Sequence, residues 1–314
     1  MPERRLELTE IHRRRGLPAP SDKVMAGLLD IVDEGMLGAT NHVALALPLV
    51  AELAAEPRDT ALAEALELAS FLARTRGAAA PIVANALGWQ TGGIEEGQPR
   101  ETAAALLAER ARDWDDRAAQ RRRLLIARAR EALEGRRAPL IFDYSSTVAD
   151  LVRALAQGPG LDSLIVPESR AIDGGRRYMA ALSGLGVPIR LLPDAALDYA
   201  AEQADVVLLG AESVTLDGGV INTIGSTGAA RAAAARGVPV FGAADLFKVG
   251  NRRAAELPPY PLRPYPFLLR EGEVADTSAP ELEVVPPDLL TALLTEVGPV
   301  APKNLEAALA VRDA

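Results

Sequence analysis

The sequence predicts an α/β protein in which an N-terminal helical domain precedes a doubly wound parallel sheet domain. From Ser21 to about Arg137, apolar residues recur at helical spacing and β-branched clusters are almost absent. After Pro139 the pattern changes to short apolar runs separated by helical stretches, which is typical of parallel strands with crossover helices. We therefore divide the chain into residues 1–137 and residues 138–314.

Length and composition support two globular domains. Domains commonly contain roughly 100 to 200 residues, so a chain of 314 residues is long enough for two cores. A net charge of −9 argues against a nucleic-acid-binding surface, which requires a surplus of Lys and Arg. The absence of cysteine excludes disulfides, thiolate zinc sites and a cysteine nucleophile. No long apolar run or signal-peptide pattern is present, so we expect a cytoplasmic protein without a membrane partner.

The helical half contains several interruptions. Pro81, Gly88 and the polar stretch Gln90–Gln98 break the apolar pattern. A long, charged helix is then predicted from about Arg100 to Gly135, and it leads into the second half.

The second half alternates between candidate strands and helices. The predicted strands are Leu140–Tyr144, Ser163–Val166, Ile189–Leu192, Val206–Leu209 and Val238–Gly242. The predicted helices are Val148–Ala156, Arg176–Leu185, Ala195–Gln203 and Thr227–Arg236. This order predicts a Rossmann-like sheet, which binds its ligand at the carboxyl ends of the strands.

The C-terminal part is less regular. Repeated prolines from Leu257 to Pro266 predict an extended surface excursion, since proline lacks the N–H group that strand pairing uses. A plain connection and a partner-binding segment are both open interpretations. Leu289–Glu296 is predicted as a short helix that ends at Gly298.

Polar residues follow the predicted strands and could line one pocket. These segments are Asp143-Tyr144-Ser145-Ser146, Glu168-Ser169-Arg170, Asp194, Gly210-Ala211-Glu212 and Asn222-Thr223-Ile224-Gly225-Ser226. Ser145 and Ser146 open a helix, where free N–H groups and the helix dipole favour an anion. Ordinary helix capping explains the same hydroxyl groups.

Charged residues at strand ends give two further candidates. Arg170 presents a fork of donors that suits a phosphate, although an ion pair with Glu168 or Asp173 is the structural alternative. Glu212 follows an uninterrupted apolar strand and is therefore presented where ligands bind.

The glycines and histidines are predicted to have structural roles, except Gly225. Asp217-Gly218-Gly219 predicts a tight turn with positive φ, whereas Gly225 allows the backbone to approach a ligand. His12 and His42 lack partners at metal-ligand spacing. We predict no metal site and no cofactor.

A set of motifs in the second half resembles a known family. The motifs are Gly186-Val187-Pro188-Ile189, Asp194, Ala204-Asp205, Gly210-Ala211-Glu212, Gly218-Gly219, Ile221-Asn222, Ile224-Gly225, Phe247-Lys248, Pro286-Pro287 and Thr295-Glu296-Val297-Gly298. From about Asp113 to Arg312 the chain resembles the family that contains the alpha, beta and delta subunits of initiation factor 2B, methylthioribose-1-phosphate isomerase and ribose-1,5-bisphosphate isomerase. The N-terminal half resembles it more loosely, chiefly from Arg74 to Asn85.

The resemblance implies a site chemistry from which this chain departs. In the isomerases a cysteine and an aspartate move a proton between adjacent sugar carbons through an enediol-like intermediate. By resemblance the cysteine corresponds to Asp143, and the aspartate corresponds to Glu212, as it does in the alpha subunit. The family's Asn-Lys-Ile-Gly-Thr motif has Thr223 at its lysine, which removes a positive charge from the implied phosphate site.

Three functions remain open on these residues. In the first, the protein binds a phosphorylated sugar or nucleotide in a crevice between the domains and is regulatory or has altered catalysis, as the resemblance to the alpha subunit implies. In the second, Asp143 and Glu212 form a carboxylate pair that catalyses aldose–ketose isomerisation, because closely placed carboxylates shift one another's pKa. In the third, the protein is a scaffold without a ligand.

The predicted site and assembly are as follows. The candidate catalytic residues are Asp143 and Glu212; the candidate ligand- or phosphate-binding residues are Arg76, Tyr144, Ser145, Ser146, Arg170, Asn222, Thr223, Gly225 and Lys248. The resemblance also implies a homodimer or a larger homo-oligomer, since closed symmetry is common among oligomers.

Overall fold

The computed structural model describes residues 2–32, 39–158, 160–310 and 312. The part of the predicted helical half at residues 33–38 lies outside them. Contacts divide the chain into two compact units, Met1–Gln120, here called the helical unit, and Arg121–Ala314, here called the sheet unit. The predicted domain boundary at residues 137/138 stays a prediction.

The helices are α1 (Pro2–Arg14), α2 (Asp22–Val32), α3 (Ala39–Ala54), α4 (Ala61–Ala79), α5 (Pro81–Thr91), α6 (Arg100–Ala132), α7 (Ser146–Ala156), α8 (Gly174–Ala181), α9 (Leu197–Glu202), α10 (Ser226–Ala234) and α11 (Leu305–Leu309). The strands are β1 (Pro139–Phe142), β2 (Leu164–Pro167), β3 (Ile189–Leu192), β4 (Val206–Leu209), β5 (Ser213–Val214), β6 (Val220–Thr223), β7 (Val240–Ala243), β8 (Leu262–Pro264), β9 (Ser278–Pro280), β10 (Leu282–Val285), β11 (Ala292–Thr295) and β12 (Gly298–Val300).

The helical unit packs around α4 and α5. Pro81 is the first residue of α5, where its missing N–H is not needed, so the predicted break at this proline is confirmed. A Cβ on Gly77 would lie 2.6 Å from the Ala84 Cβ, so glycine lets α4 and α5 approach closely. Gly88 lies inside α5, and the predicted break there is wrong. A helical glycine costs only about 1 kcal/mol, which packing of the buried α5 face overrides.

The sheet unit is built on a seven-stranded sheet of order β12-β11-β7-β4-β1-β2-β3. Its strands are parallel except β12, which pairs with β11 in the antiparallel sense. A three-stranded antiparallel sheet, β10-β6-β5, and a two-stranded ribbon, β8-β9, accompany it. The predicted class, a mostly parallel α/β sheet preceded by helices, is confirmed.

Helices cover both faces of the large sheet. Alternate β1 side chains point to opposite faces, so Leu140 and Phe142 enter one apolar cluster and Ile141 enters the other. The first cluster includes buried alanines of α10, such as Ala229, and the second includes Val148 of α7. This two-faced burial explains why β1 and β4 are continuous apolar runs in sequence.

The C-terminal region corrects one prediction and extends another. Leu289–Glu296 is not a helix, because Ala292–Thr295 forms the fully buried strand β11, which pairs with β7. The helix preference of its alanine and leucines is overridden by a place inside the sheet. Leu257–Pro266 is a largely exposed excursion, as predicted, and its β8 segment pairs with β9.

Within the described residues, none of the helices is both long and apolar enough to cross a membrane.

Candidate functional site

The loops after β1 and β4 leave the large sheet side by side. Phe142 is paired with Leu209, so Asp143 and the segment Gly210–Glu212 begin as neighbours at the carboxyl edge. The strand order reverses here, since β2 and β3 lie beyond β1, whereas β7 and β11 lie beyond β4. In doubly wound sheets such a switch point is where the ligand crevice opens. The two predicted catalytic carboxylates therefore flank the place where this fold class binds ligands.

Asp143 is a buried acid with a perturbed titration. Its side chain is 5% exposed, and its Oδ1 accepts the Tyr144 N–H at 2.7 Å. Burial raises the pKa of Asp143, although a hydrogen bond from the Thr223 side chain opposes this shift. The charge of Glu212 also raises the pKa, and the charge of Arg177 lowers it. Glu212 itself is exposed, so the charge of an exposed acid acts on a buried one.

Backbone strain is concentrated beside Asp143. Among the described residues, the non-glycine positions with positive φ are Asp143 (60°), Ser169 (47°) and Asp173 (56°), all in the loops after β1 and β2. Left-handed backbone costs an L-residue roughly 1–2 kcal/mol, and such residues cluster at functional sites. A Cβ on Gly174 would lie 2.8 Å from the Asp143 Oδ1, so a glycine is required where α8 meets this loop.

Ser145 has the capping role that the sequence left open. Its Oγ accepts the Val148 N–H at 3.4 Å, and its own N–H donates to the Tyr178 hydroxyl at 3.1 Å. The Tyr144 and Tyr178 rings pack against each other, with their centres 5.2 Å apart. Ser146 is exposed in the first turn of α7. Phosphate binding by Tyr144, Ser145 and Ser146 stays a prediction.

Asp194 holds the backbone on which Arg170 lies. Its two carboxylate oxygens accept the N–H groups of Ser169 and Arg170, both at 2.8 Å. The Arg170 guanidinium is 5.0 Å from the centre of the Phe267 ring, which directly follows the Pro-rich excursion. A shallow cavity of about 320 Å³ lies next to it and is lined by Ala171, Ile172, Arg263–Phe267 and Glu281. Arg170 is thus engaged with the residue that follows the excursion.

The Asn222–Ser226 turn is held by its own hydrogen bonds. Asn222 Nδ2 donates to the Ser226 Oγ at 3.0 Å, and that hydroxyl donates to the Thr223 carbonyl at 2.7 Å. Gly225 has φ of 102°, and a Cβ there would lie 2.5 Å from the Phe142 ring. The turn is therefore packed directly on the residue that precedes Asp143.

Glu283 occupies the N-terminus of α10. Its Oε1 accepts the N–H groups of Gly225 and Thr227, both at 2.8 Å. Such N–H groups are the ones that bind anions at helix N-termini. A carboxylate of the chain itself thus lies where sequence analysis expected an external anion. Glu283 was missed because β10 was not predicted, and its pairing with β6 places the side chain here.

The remaining predicted ligands lie on different elements. Lys248 Nζ donates to the Ala211 carbonyl at 2.5 Å, next to Glu212 in sequence. Arg76 lies on α4 of the helical unit, where its Nε contacts the buried His42 Nδ1 at 3.2 Å. His12 is also buried, with Nδ1 2.7 Å from the Pro18 carbonyl, in line with a structural role. The place of Arg76 in a shared site stays a prediction.

A second acidic pair lies at the same edge, beyond β7 and β11. Glu296 accepts the Leu246 N–H at 3.1 Å, and Asp245 lies 3.8 Å from Arg121. Burial, followed by the Asp245 charge, raises the pKa of Glu296 to about 7. Asp245 and Arg177 were not named in the sequence analysis, and Glu296 appeared there only within a family motif and a predicted helix. A sequence pattern could nevertheless have identified Asp245 and Glu296, because each parallel strand of the large sheet is followed closely by an acid.

Comparisons with known proteins agree with this fold. The model of the initiation factor 2 subunit family matches residues 39–302. A ribose 1,5-bisphosphate isomerase of Haloferax volcanii is 30% identical over 167 residues, and the alpha subunit of translation initiation factor 2B of Dictyostelium discoideum is 27% identical over 222 residues. The crystal structure of a translation initiation factor 2B protein of Pyrococcus horikoshii OT3 has a TM-score of 0.72 at 21% identity, and the match covers 90% of this chain and 98% of that one.

Coverage of the curated relatives is partial. The isomerase match covers 51% of this chain and 51% of the isomerase, and the alpha-subunit match covers 64% of this chain and 67% of the subunit. The chain therefore spans about half the length of the isomerase that it matches. The likeness to the solved structure shows the fold.

Proposed function

The chain belongs to the initiation factor 2 subunit family, and on that premise we propose that it binds a phosphorylated sugar or nucleotide at the switch point between β1 and β4. The observation that supports this most is the meeting of Asp143 and Glu212 at that edge, on loops separated by almost seventy residues of sequence. The relatives include an isomerase and a translation factor subunit, so both a catalytic and a regulatory ligand stay open. We place the regulatory ligand first because, by resemblance, Asp143 replaces the cysteine of the isomerases.

The arrangement suits the hydroxyl groups of a sugar. A carboxylate accepts hydrogen bonds through two oxygens, and bonds with a charged partner contribute about 1.5–3 kcal/mol each. Asp143 is fixed by Tyr144 and Thr223, so it presents a preorganised group. Glu212 is held through its backbone, whose N–H donates to the Ile221 carbonyl at 2.9 Å.

One observation favours catalysis as the second candidate. Burial raises the pKa of Asp143 and so favours its protonated form, whereas its neighbour Glu212 is exposed. Pairs of acids in environments that separate their protonation are typical of general acid–base sites. In an open-chain aldose, Glu212 would take the proton from C2 while Asp143 gives its proton to the C1 carbonyl oxygen, which forms an enediol. Return of one proton to C1 and loss of the other from the C2 hydroxyl would give the ketose.

Thermal stability tests the binding proposal. A ligand that binds the folded chain raises the melting temperature by mass action, and saturation at 100 times Kd contributes about 2.7 kcal/mol. We expect a phosphorylated pentose or a nucleoside monophosphate to raise the melting temperature of the full chain. Glu212→Gln should remove the shift, and Glu202→Gln, an exposed glutamate at the end of α9, should keep it. A flat screen with every compound would favour the scaffold function instead.

Proton exchange separates the two candidates. If the pair is catalytic, deuterium from solvent enters the sugar at C1 or C2 during incubation, and NMR detects it. The Asp143→Asn variant should bind the sugar without exchange. Saturable binding by the unaltered chain with no exchange would assign the regulatory function.

A further inference from the structure

Most of the groups predicted to bind phosphate in the sheet unit are already used by the chain. Ser145 caps α7, and Asn222 donates to Ser226. The N–H groups at the start of α10 donate to Glu283. The Lys248 ammonium donates to the Ala211 carbonyl, and the Arg170 guanidinium lies on Phe267.

The charge around the carboxylate pair is also unfavourable for a phosphate. Asp143, Glu212 and Glu283 contribute acids at this edge, against Arg177 and Lys248 as bases. Thr223, 3% exposed, places an uncharged hydroxyl beside Asp143. Like charges in contact across a binding surface cost several kcal/mol, and a buried anion requires several donors. A phosphate on a carbon next to Asp143 and Glu212 would meet three acids against two bases, and the Lys248 ammonium already donates to a carbonyl of the chain.

We infer that the strand edge selects a sugar phosphorylated once, at the end remote from Asp143 and Glu212, with Thr223 and Glu283 as specificity-determining residues. The inference rests on the proposed function and deepens it. The edge contacts the hydroxyl-bearing carbons, and a phosphate on those carbons is rejected by Glu283, Asp143 and Glu212. A phosphate on the far carbon lies outside this acidic surface.

Thr223 and Glu283 reject the phosphate in different ways. Glu283 fills the two-donor position at Gly225 and Thr227, so an anion must displace a bound carboxylate before it can enter. Thr223 supplies no positive charge, and its side chain is hydrogen-bonded to Asp143. Both effects act only on a phosphate carried by the carbons next to Asp143 and Glu212. The preference between two sugar phosphates can therefore be tested apart from whether any sugar phosphate binds.

Calorimetric titration of the full chain with two ligands tests the inference. Ribose 5-phosphate carries its phosphate on the far carbon, and ribose 1,5-bisphosphate adds one on the near carbon. We expect the bisphosphate to bind at least about tenfold more weakly, which corresponds to about 1.4 kcal/mol. Equal or tighter binding of the bisphosphate would overturn the inference while leaving the proposed function intact. Absence of binding by both ligands would instead reject the proposed function, and the inference with it.

Variants test whether Thr223 and Glu283 are the residues that weaken binding of the bisphosphate. Thr223→Lys adds a cation at the edge and should tighten bisphosphate binding about tenfold while changing ribose 5-phosphate binding by less than about threefold. Gln203→Lys adds the same charge at an exposed position after α9 and should leave the ratio unchanged. Glu283→Gln should shift the ratio in the same direction as Thr223→Lys. Circular dichroism checks that each variant is folded, and the ratio in the unaltered chain decides the inference if a variant unfolds.

Discussion

At the scale of single residues, the two acids with raised pKa values set how stability depends on pH. An acid whose pKa is higher in the folded chain than in the unfolded chain binds more protons when folded. The unfolding free energy therefore falls as pH rises from the ordinary pKa to the raised one. Asp143 and Glu296 both belong to this class, because burial is the largest cause of each shift.

Asp143→Asn should stabilise the chain while it removes proton exchange. The unfolding free energy of the variant, measured with urea, should exceed that of the unaltered chain at pH 8, and the difference should shrink as pH approaches the ordinary value of 3.8. Asp162→Asn is the matched control, because its pKa is lowered by Arg137 and its loss should give no gain. A loss of stability in Asp143→Asn at pH 8 would contradict the claim that burial of the charged Asp143 carboxylate destabilises the folded chain.

Glu296→Gln should change stability over a defined pH window. The pKa of Glu296 rises from 4.5 to about 7, so the advantage of the variant should grow between these values and stay constant above. At 1.36 kcal/mol for each pH unit, the full difference is roughly 3 kcal/mol. Urea titrations at pH 4, 6 and 8 measure it. Parallel stability profiles for the two proteins would show that Glu296 does not titrate as proposed.

At the scale of elements, long periodic patterns were predictable and short paired strands were not. β2, β3 and β4 were predicted within a residue or two because short apolar segments bounded by turn residues identify strands, and β2 and β4 are buried on both faces. β11 was mistaken for a helix, since Ala-Leu-Leu-Thr has no period of its own and its strand state depends on pairing with β7. β10 was missed for the same reason, and with it the cap that Glu283 provides for α10.

Gly225→Ala should be far more damaging than another glycine substitution with positive φ. Its Cβ would lie 2.5 Å from the Phe142 ring at φ of 102°, so strain and overpacking add to roughly 3 kcal/mol. Gly237 also has positive φ, 67°, but nothing lies within 4 Å of its Cβ. Gly237→Ala should therefore cost only about 1 kcal/mol. Denaturant unfolding compares the two variants, and equal losses would show that contact with Phe142 is not what requires the glycine.

At the scale of the whole molecule, sequence analysis placed the candidate residues at strand ends, and the roles that it gave them stay predictions. Convergence of the loops carrying Asp143 and Glu212 follows from strand order, which a doubly wound pattern predicts. The engagement of Lys248 and Arg170 could not be predicted, because the partner of Lys248 is a remote backbone carbonyl and the partner of Arg170 is a ring remote in sequence. The partner of Asn222, the Ser226 hydroxyl, lies only four residues further along the chain. The roles of these three residues in phosphate binding, and a cytoplasmic location, stay predictions.

Assembly is a further prediction at this scale. The family resemblance and the frequency of closed symmetry favour a two-fold homodimer. Light scattering at micromolar concentration should then give about twice the chain mass of 33.1 kDa, and the melting temperature should rise with protein concentration. A mass of one chain over the whole concentration range would contradict a dimer.

The central claim is that a phosphorylated sugar or nucleotide binds between Asp143 and Glu212, and a crystal structure with bound ribose 5-phosphate tests it most directly. The account predicts ligand density at the β1–β4 switch point, with sugar hydroxyl groups within about 3.2 Å of both carboxylates and the phosphate away from Glu283. Density at another surface, or a switch point left without ligand at a saturating concentration, would contradict it.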